Sequence, residues 1–251
     1  MPMPRVLKDT FIDTGLYGAA RRFRRRMTPA AHARFLAEVA FYAEFIKPGD
    51  LVFDVGANIG AKTEVFRKIG AQVVAFEPQP ACRREMIARC GPAGITLVPA
   101  AVGSEPGRAS LFLNDNSGMA SLNPEWFAEG RAGSIDVPVT TLDAEIKAHG
   151  LPTFCKIDVE GFELEVLKGL SHRIPLFSLE YHLDADQVAN TFACLDLLKR
   201  FGPLSINITF AEEPGFVWSE WLTLDQFRSD FPSKAPRTEA FDYGDIFIRI
   251  G

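Results

Sequence analysis

The sequence predicts an α/β fold: a Rossmann-like sheet of seven strands, mostly parallel, with helices on both faces and an antiparallel strand pair at its C-terminal edge. Three observations predict it. The apolar run Leu51 to Val55 leads straight into a Gly-rich turn, Gly56 to Gly60, beyond which helical periodicity begins; this is how a doubly wound sheet opens a nucleotide-cradling unit. Apolar runs of strand length then alternate with helical stretches, as a parallel sheet with crossover helices requires. Near the end, Leu204 to Phe210 and Asp245 to Ile250 alternate apolar and polar residues, the two-residue period of strands, and pair antiparallel.

Residues 1–48 read as an N-terminal helical extension and residues 49–251 as the cofactor-binding domain. The extension carries Arg21, Arg22, Arg24, Arg25 and Arg26, read as a solvated face rather than an anion-binding surface. Thr28 and Pro29 form a helix start, since proline fits the first turn, where its missing N–H is not needed. Phe35, Leu36, Val39, Phe41, Tyr42, Phe45 and Ile46 form an apolar stripe for the core. Pro48-Gly49 ends that helix.

The second strand, Gln72 to Phe76, stops at Glu77-Pro78 because proline has no N–H for the ladder. Pro80 to Cys90 is a helix and Ile95 to Val98 the third strand, left through the small residues Ala100 to Gly103. Ala109 to Leu113 and Ile135 to Val139 are extra strands around a polar loop, Asn114 to Ser121, which reads as a substrate loop. Thr141-Leu142-Asp143 begins a short helix. Phe154 to Asp158 and Ser178 to His182 are the fourth and fifth strands, and Thr191 to Phe201 is helical. Residues 211–244, with Trp218, Trp221, Phe227 and Phe231, are too long for a hairpin turn. Two readings stand for them: a cap over an acceptor pocket, or packing against the sheet.

Composition narrows the function. The 251 residues are 47% hydrophobic, enough to bury a sizeable core as one catalytic unit. A net charge of -5 and a pI of about 5.5 give a polyanion no attraction, so nucleic acid is not the expected partner. Cys82, Cys90, Cys155 and Cys194 have no metal-binding spacing and predict reduced thiols in a cytoplasm. No apolar stretch reaches the ~18 to 20 residues of a membrane span, and the opening Met1-Pro-Met-Pro-Arg5 has no apolar signal region. A soluble cytoplasmic protein is expected, and homo-oligomerisation stays open.

The ligand class follows from the turn. Dinucleotide turns read G-x-G-x-x-G, but Asn58 stands where the middle glycine belongs, which disfavours close approach of a pyrophosphate. A phosphate loop needs Gly-Lys-Ser/Thr, and Gly60-Ala61-Lys62-Thr63 has an alanine inserted. What remains is an adenosine ligand without phosphates. Asp54 and Glu77 end two successive strands, and Glu77 lies at the distance expected of a ribose-binding acid. The ligand that fits is S-adenosylmethionine, its methionyl ammonium and carboxylate meeting Asp54 and the turn amides.

Taken in order, Asp54-Val-Gly-Ala-Asn-Ile-Gly60, Phe76-Glu-Pro78, Ala100-Ala-Val-Gly103, Thr141-Leu-Asp143 and Lys156-Ile-Asp-Val-Glu-Gly161 resemble the FkbM family of S-adenosylmethionine-dependent methyltransferases, from about Gly49 to about His182. The Lys156-to-Gly161 segment, followed by Glu163, Glu165 and Gly169, is the most particular part. The resemblance implies the class I methyltransferase fold and O-methylation, often of sugars or secondary metabolites. The expected cofactor residues are Asp54, Gly56, Ala57, Asn58, Gly60, Glu77, Pro78, Ala100 and Ala101.

A hydroxyl is a poor nucleophile towards a sulfonium until its proton is being removed or a metal lowers its pKa. Ligands of open parallel sheets lie beyond the carboxyl ends of the strands, so Asp158, Glu160, Glu180 and His182 should converge near Asp54 as catalytic candidates. An imidazole with a reference pKa of ~6.5 accepts a proton at neutral pH, which puts His182 first as base and Asp158 second. Asp158, Glu160 and Glu180 are also hard oxygen ligands suited to magnesium, though no further ligand signature supports a metal. Lys156 reads as neutralising a buried acid, and Glu163 and Glu165 as helix partners of Lys168. The expected partner is a small-molecule or glycan hydroxyl acceptor. Two other classes remain: a nucleic-acid or protein methyltransferase, disfavoured by the acidic charge and the lack of an Asp/Asn-Pro-Pro-Tyr/Phe motif, and a non-catalytic binding protein of the same fold.

Overall fold

The computed structural model describes residues 28–91, 93–114, 120–126, 131–211, 213–239 and 241–251. Helix α1 (Pro29–Tyr42) precedes the first βα units: β1 (Leu51–Val55), α2 (Ala61–Ile69), β2 (Gln72–Phe76), α3 (Pro80–Cys90) and β3 (Ile95–Val98). Four strands of a second sheet follow: β4 (Ala101–Val102), β5 (Gly107–Asn114), β6 (Ala120–Ser121) and β7 (Arg131–Thr140). The chain then returns to the main sheet through α4 (Leu142–His149), β8 (Phe154–Ile157), α5 (Glu163–Lys168), β9 (Leu176–His182) and α6 (Ala185–Leu198). It ends with β10 (Leu204–Ile208), β11 (Leu222–Thr223), α7 (Leu224–Asp230) and β12 (Tyr243–Ile250).

The main sheet runs β11-β10-β12-β9-β8-β1-β2-β3. Strands β3, β2, β1, β8 and β9 are parallel, and β12 and β10 close the edge antiparallel, as the sequence predicts. The eighth strand is the two-residue β11, paired to Ser205 and Ile206; so short an element has no period to read. Strands β4 to β7 form a separate four-stranded sheet in the order β4-β7-β5-β6. The tip of the predicted substrate loop, residues 115–119, lies outside the described residues, as does the Arg21–Arg26 cluster. No helix among the described residues is long and apolar enough to cross a membrane.

Both faces of the main sheet are apolar, because successive residues of a strand point to opposite sides. Val52, Phe154 and Phe247 face one side; Phe53, Cys155, Ile246 and Ile248 face the other. On the first side Phe41 and Tyr42 of α1 meet Phe66, Phe154 and Phe247 edge-on or tilted, with ring centroids 5.1 to 6.0 Å apart. Helix α1 ends at Tyr42 rather than at Pro48-Gly49. The amides of Glu44 and Phe45 bond to the carbonyls three residues back, Phe41 and Tyr42, which tightens the chain and turns Ile46 into the core. Helix α6 begins at Ala185, ahead of the predicted Thr191, because the Asp184 carboxylate accepts from the Gln187 amide and starts it early.

The described residues of 211–244 pack on the sheet, and of these only Tyr243 borders the pocket described below. The capping box of Thr223 and Gln226 starts α7. That helix drives Phe227 and Phe231, stacked at 4.8 Å, against Tyr181, Phe192 and Trp218. Full burial of a ring of this size contributes about 1.5–3 kcal/mol, which explains why these aromatics serve the core.

Candidate active site

The carboxyl ends of β1, β2, β8 and β9 open into a cavity of about 560 Å³. Asp54, Glu77, Asp158, Glu180 and His182 reach it from those ends, and Glu160 from the turn after β8. Gly56, Ala57, Asn58, Pro78, Ala100 and Ala101 border it as well. Gly60 does not. It stands behind the turn with φ 76°, where a Cβ would come within 2.5 Å of Met86 Cγ on α3.

The glycines of the turn make room for protein rather than ligand. Gly56 has φ 80°, and a Cβ there would lie 1.8 Å from the Asp158 carbonyl oxygen, so the turn after β1 and the end of β8 fit together only without a side chain. The amides of the turn are also engaged: Gly56 and Ala57 donate to the Phe76 carbonyl, Asn58 to Glu77 Oε2 and Gly60 to the Ala57 carbonyl. These four amides, among those expected to meet a ligand carboxylate, are thus already engaged within the protein. Gly56→Ala is expected to cost about 1–3 kcal/mol in backbone strain alone, and more through displacement of the Asp158 turn. Urea unfolding of the variant checks this.

Two buried acids shape this half of the pocket. Glu77 accepts from the Gln79 amide on Oε1 at 2.7 Å and from the Asn58 amide on Oε2 at 2.9 Å. Burial nevertheless pushes it up to about 7, against the pull of those two amides. Asp54 accepts from the Thr63 hydroxyl on α2, and burial pushes it up to about 6. Beside them Lys62 pairs with Glu38 of α1 at 2.6 Å, which ties the N-terminal helix to the edge of the cavity.

The other half holds the predicted catalytic set. Lys156, buried, lies 3.1 Å from Asp158 and 2.9 Å from Asp245. Burial works against its ammonium, but the two carboxylates outweigh that and hold it charged. Glu160 sits at φ 57° in a left-handed turn that a non-glycine residue adopts only when its surroundings hold it there. Two contacts from the second-sheet region do so: Ser121 Oγ donates to the Glu160 carbonyl at 2.7 Å, and Trp126 Nε1 donates to Oε2 at 3.0 Å. Gly161 follows because a Cβ there would penetrate the Trp126 ring. Burial, then the charges of Glu180 and Asp158, push Glu160 up to about 8. Burial and Asp158 likewise raise Glu180 well above the ordinary carboxylate range. Glu180 Oε2 and His182 Nε2 stand 3.4 Å apart, and the Trp126 ring meets the His182 ring edge-on at 5.2 Å.

Glu165 pairs with Lys168 as expected, but Glu163 does not. It turns inward to accept from the amides of Val159 and Gly161 and from Asn190 Nδ2, bracing the turn that carries Glu160. Sequence reasoning passed over Trp126, Ser121, Tyr243 and Asp245. Only Asp245 had a signal, an acid placed directly before the apolar stretch Ile246-Phe247-Ile248; the rest reach the site by tertiary packing.

A curated relative, the hexuronic acid methyltransferase AglP of Haloferax volcanii, is 30% identical over 133 residues, 50% of this chain and 52% of that protein. The chain thus spans about half the length of the curated relative it matches. Among solved structures, the precorrin-6y C5,15-methyltransferase of Geobacter metallireducens shares 12% identity at a TM-score of 0.45, covering 86% of this chain and 87% of that one. A TehB-like S-adenosylmethionine-dependent methyltransferase of Corynebacterium glutamicum shares 9% identity at a TM-score of 0.45, covering 94% and 98%. The methyltransferase FkbM domain matches residues 54–203, from the acid that ends β1 to the turn before β10. With more than half of its length inside that match, the chain belongs to the FkbM methyltransferase family.

Proposed function

We propose that the protein transfers the methyl group of S-adenosylmethionine to a hydroxyl of a small molecule or glycan, most simply a sugar. The observation that carries this is the shared cavity: two buried acids at the ends of β1 and β2 face the same space as the acid and histidine group at the ends of β8 and β9. The hexuronic acid named for the relative supports a sugar acceptor.

In this reading Glu77 accepts hydrogen bonds from the ribose hydroxyls, and Asp54 faces the methionyl ammonium. Gly56, Ala57 and Asn58 shape the turn, with Gly60 behind it, while Pro78, Ala100 and Ala101 flank the adenine. The acceptor oxygen attacks the methyl carbon in line; the O–C bond forms as the S–C bond breaks, and the sulfonium leaves as a neutral thioether. The hydroxyl proton passes to His182 or Asp158, with Glu160 and Glu180 orienting the acceptor. Residues 49–251 form the methyl-transfer domain, and residues 1–48 are its N-terminal extension.

Calorimetric titration with S-adenosylmethionine, against S-adenosylhomocysteine, NAD and ATP, tests the reading: binding of NAD or ATP in place of the methionine nucleosides would overturn it. The same titration has a pH signature. As pH falls from 8 to 6, Glu77 takes up a proton around 7 and loses acceptor capacity, so affinity should weaken by up to about tenfold per unit below that point. Glu77→Gln should bind more weakly and show a flatter profile over the same range.

A further inference from the structure

We propose that Glu160, Glu180 and His182 form a binding site for one divalent cation of the manganese and magnesium class. One carboxylate oxygen from each glutamate and one imidazole nitrogen lie within 4.8 Å of one another. Ligands about 2.1 Å from a common ion stand at most about 4.2 Å apart, so small side-chain rotations close the set around an ion.

A second observation is independent of that spacing. Glu180 Oε2 and His182 Nε2 are both shut off from solvent, and neither has a hydrogen-bond partner among the described residues. Their 3.4 Å separation lacks hydrogen-bond geometry, so Glu180 Oε2, and His182 Nε2 in the tautomer protonated at Nδ1, each offer a lone pair that no described residue uses. Buried acceptors are ordinarily satisfied, and two unused ones side by side mark a place for a shared electrophile. Nearby cationic charge is already committed, because Lys156 is held between Asp158 and Asp245. Glu160 is the most firmly placed of the three, pinned through Ser121 and Trp126, with its carboxylate directed at the other two.

The donor chemistry chooses the ion. Two carboxylates with one imidazole are harder than a thiolate site and softer than an all-oxygen one, which suits Mn²⁺ and admits Mg²⁺. Three protein ligands leave positions open, and the site borders the cavity through all three residues, so a diol or a hydroxyl beside a carboxylate can complete the coordination. The inference rests on the methyl-transfer reading for what the ion does, not for whether it binds. The ion would lower the pKa of the bound hydroxyl; His182 would then give its lone pair to the metal, and the proton would pass to Asp158.

The test is a titration of the full chain with Mn²⁺, followed by electron paramagnetic resonance of the free ion, with S-adenosylmethionine calorimetry on the same metal-free sample. One Mn²⁺ per chain is expected, displaced by excess Mg²⁺. Glu180→Gln and His182→Ala should each weaken it at least tenfold while near-ultraviolet circular dichroism stays unchanged. Absence of saturable binding up to about 1 mM, or equal binding by both variants, overturns the inference. Failure of S-adenosylmethionine to bind while Mn²⁺ does would instead remove the methyl-transfer reading and leave the cation site standing.

Discussion

Lys156→Met should lower folding stability by about 3–5 kcal/mol, the usual cost of removing one partner from a buried ion pair. The ammonium is out of water and holds two carboxylates, Asp158 on its own strand end and Asp245 on β12. Methionine fills much of the same volume, so lost packing contributes little and the uncompensated acids contribute most. Adding Asp245→Asn should recover part of the loss, because the two residues share one network and their effects are not additive. Urea unfolding of the single and double variants measures both quantities. A loss below about 1 kcal/mol would mean that the site tolerates its acids without the lysine.

His182→Ala should slow turnover by about a hundred- to ten-thousandfold while leaving S-adenosylmethionine affinity within about twofold. The imidazole lies at the end of β9, and the acids assigned to the nucleoside end β1 and β2. Removing it therefore leaves the Glu77 and Asp54 contacts in place. Methyl transfer to a panel of hydroxylated sugars and uronic acids, alongside calorimetry, separates the two effects. Parallel loss of affinity and rate would put His182 in the donor half of the cavity.

Much of this arrangement was legible because it rests on short-range rules. The strand before Gly56, the stop at Glu77-Pro78 and the alternation in β12 are local signals, and they place Asp54, Glu77, Asp158, Glu180 and His182 at one end of one sheet. The role of the glycines was not legible: spacing signals a tight turn but does not reveal whether the missing side chain would strike a ligand or, as at Gly56, a neighbouring carbonyl. Trp126 escaped for a related reason. Its indole meets Glu160 across 34 residues of sequence, a contact created by the folding of the second sheet and written in no periodicity. The inward turn of Glu163 was hidden by the expected pair with Lys168, although residues five apart on a helix do not share a face.

Helix α1 carries an implication for how such a gene can be cut and recombined. A crossover at Pro48, just ahead of β1, would preserve every strand of both sheets and every residue assigned to the donor. It would also strip Phe41 and Tyr42 from Phe66, Phe154 and Phe247, and Glu38 from Lys62. An unrelated leader joined at that point would inherit an oily patch around Phe154 and Phe247 that the remaining Phe66, Phe216 and Trp221 cover only in part. The heritable unit is therefore longer than its motifs, and α1 must travel with them.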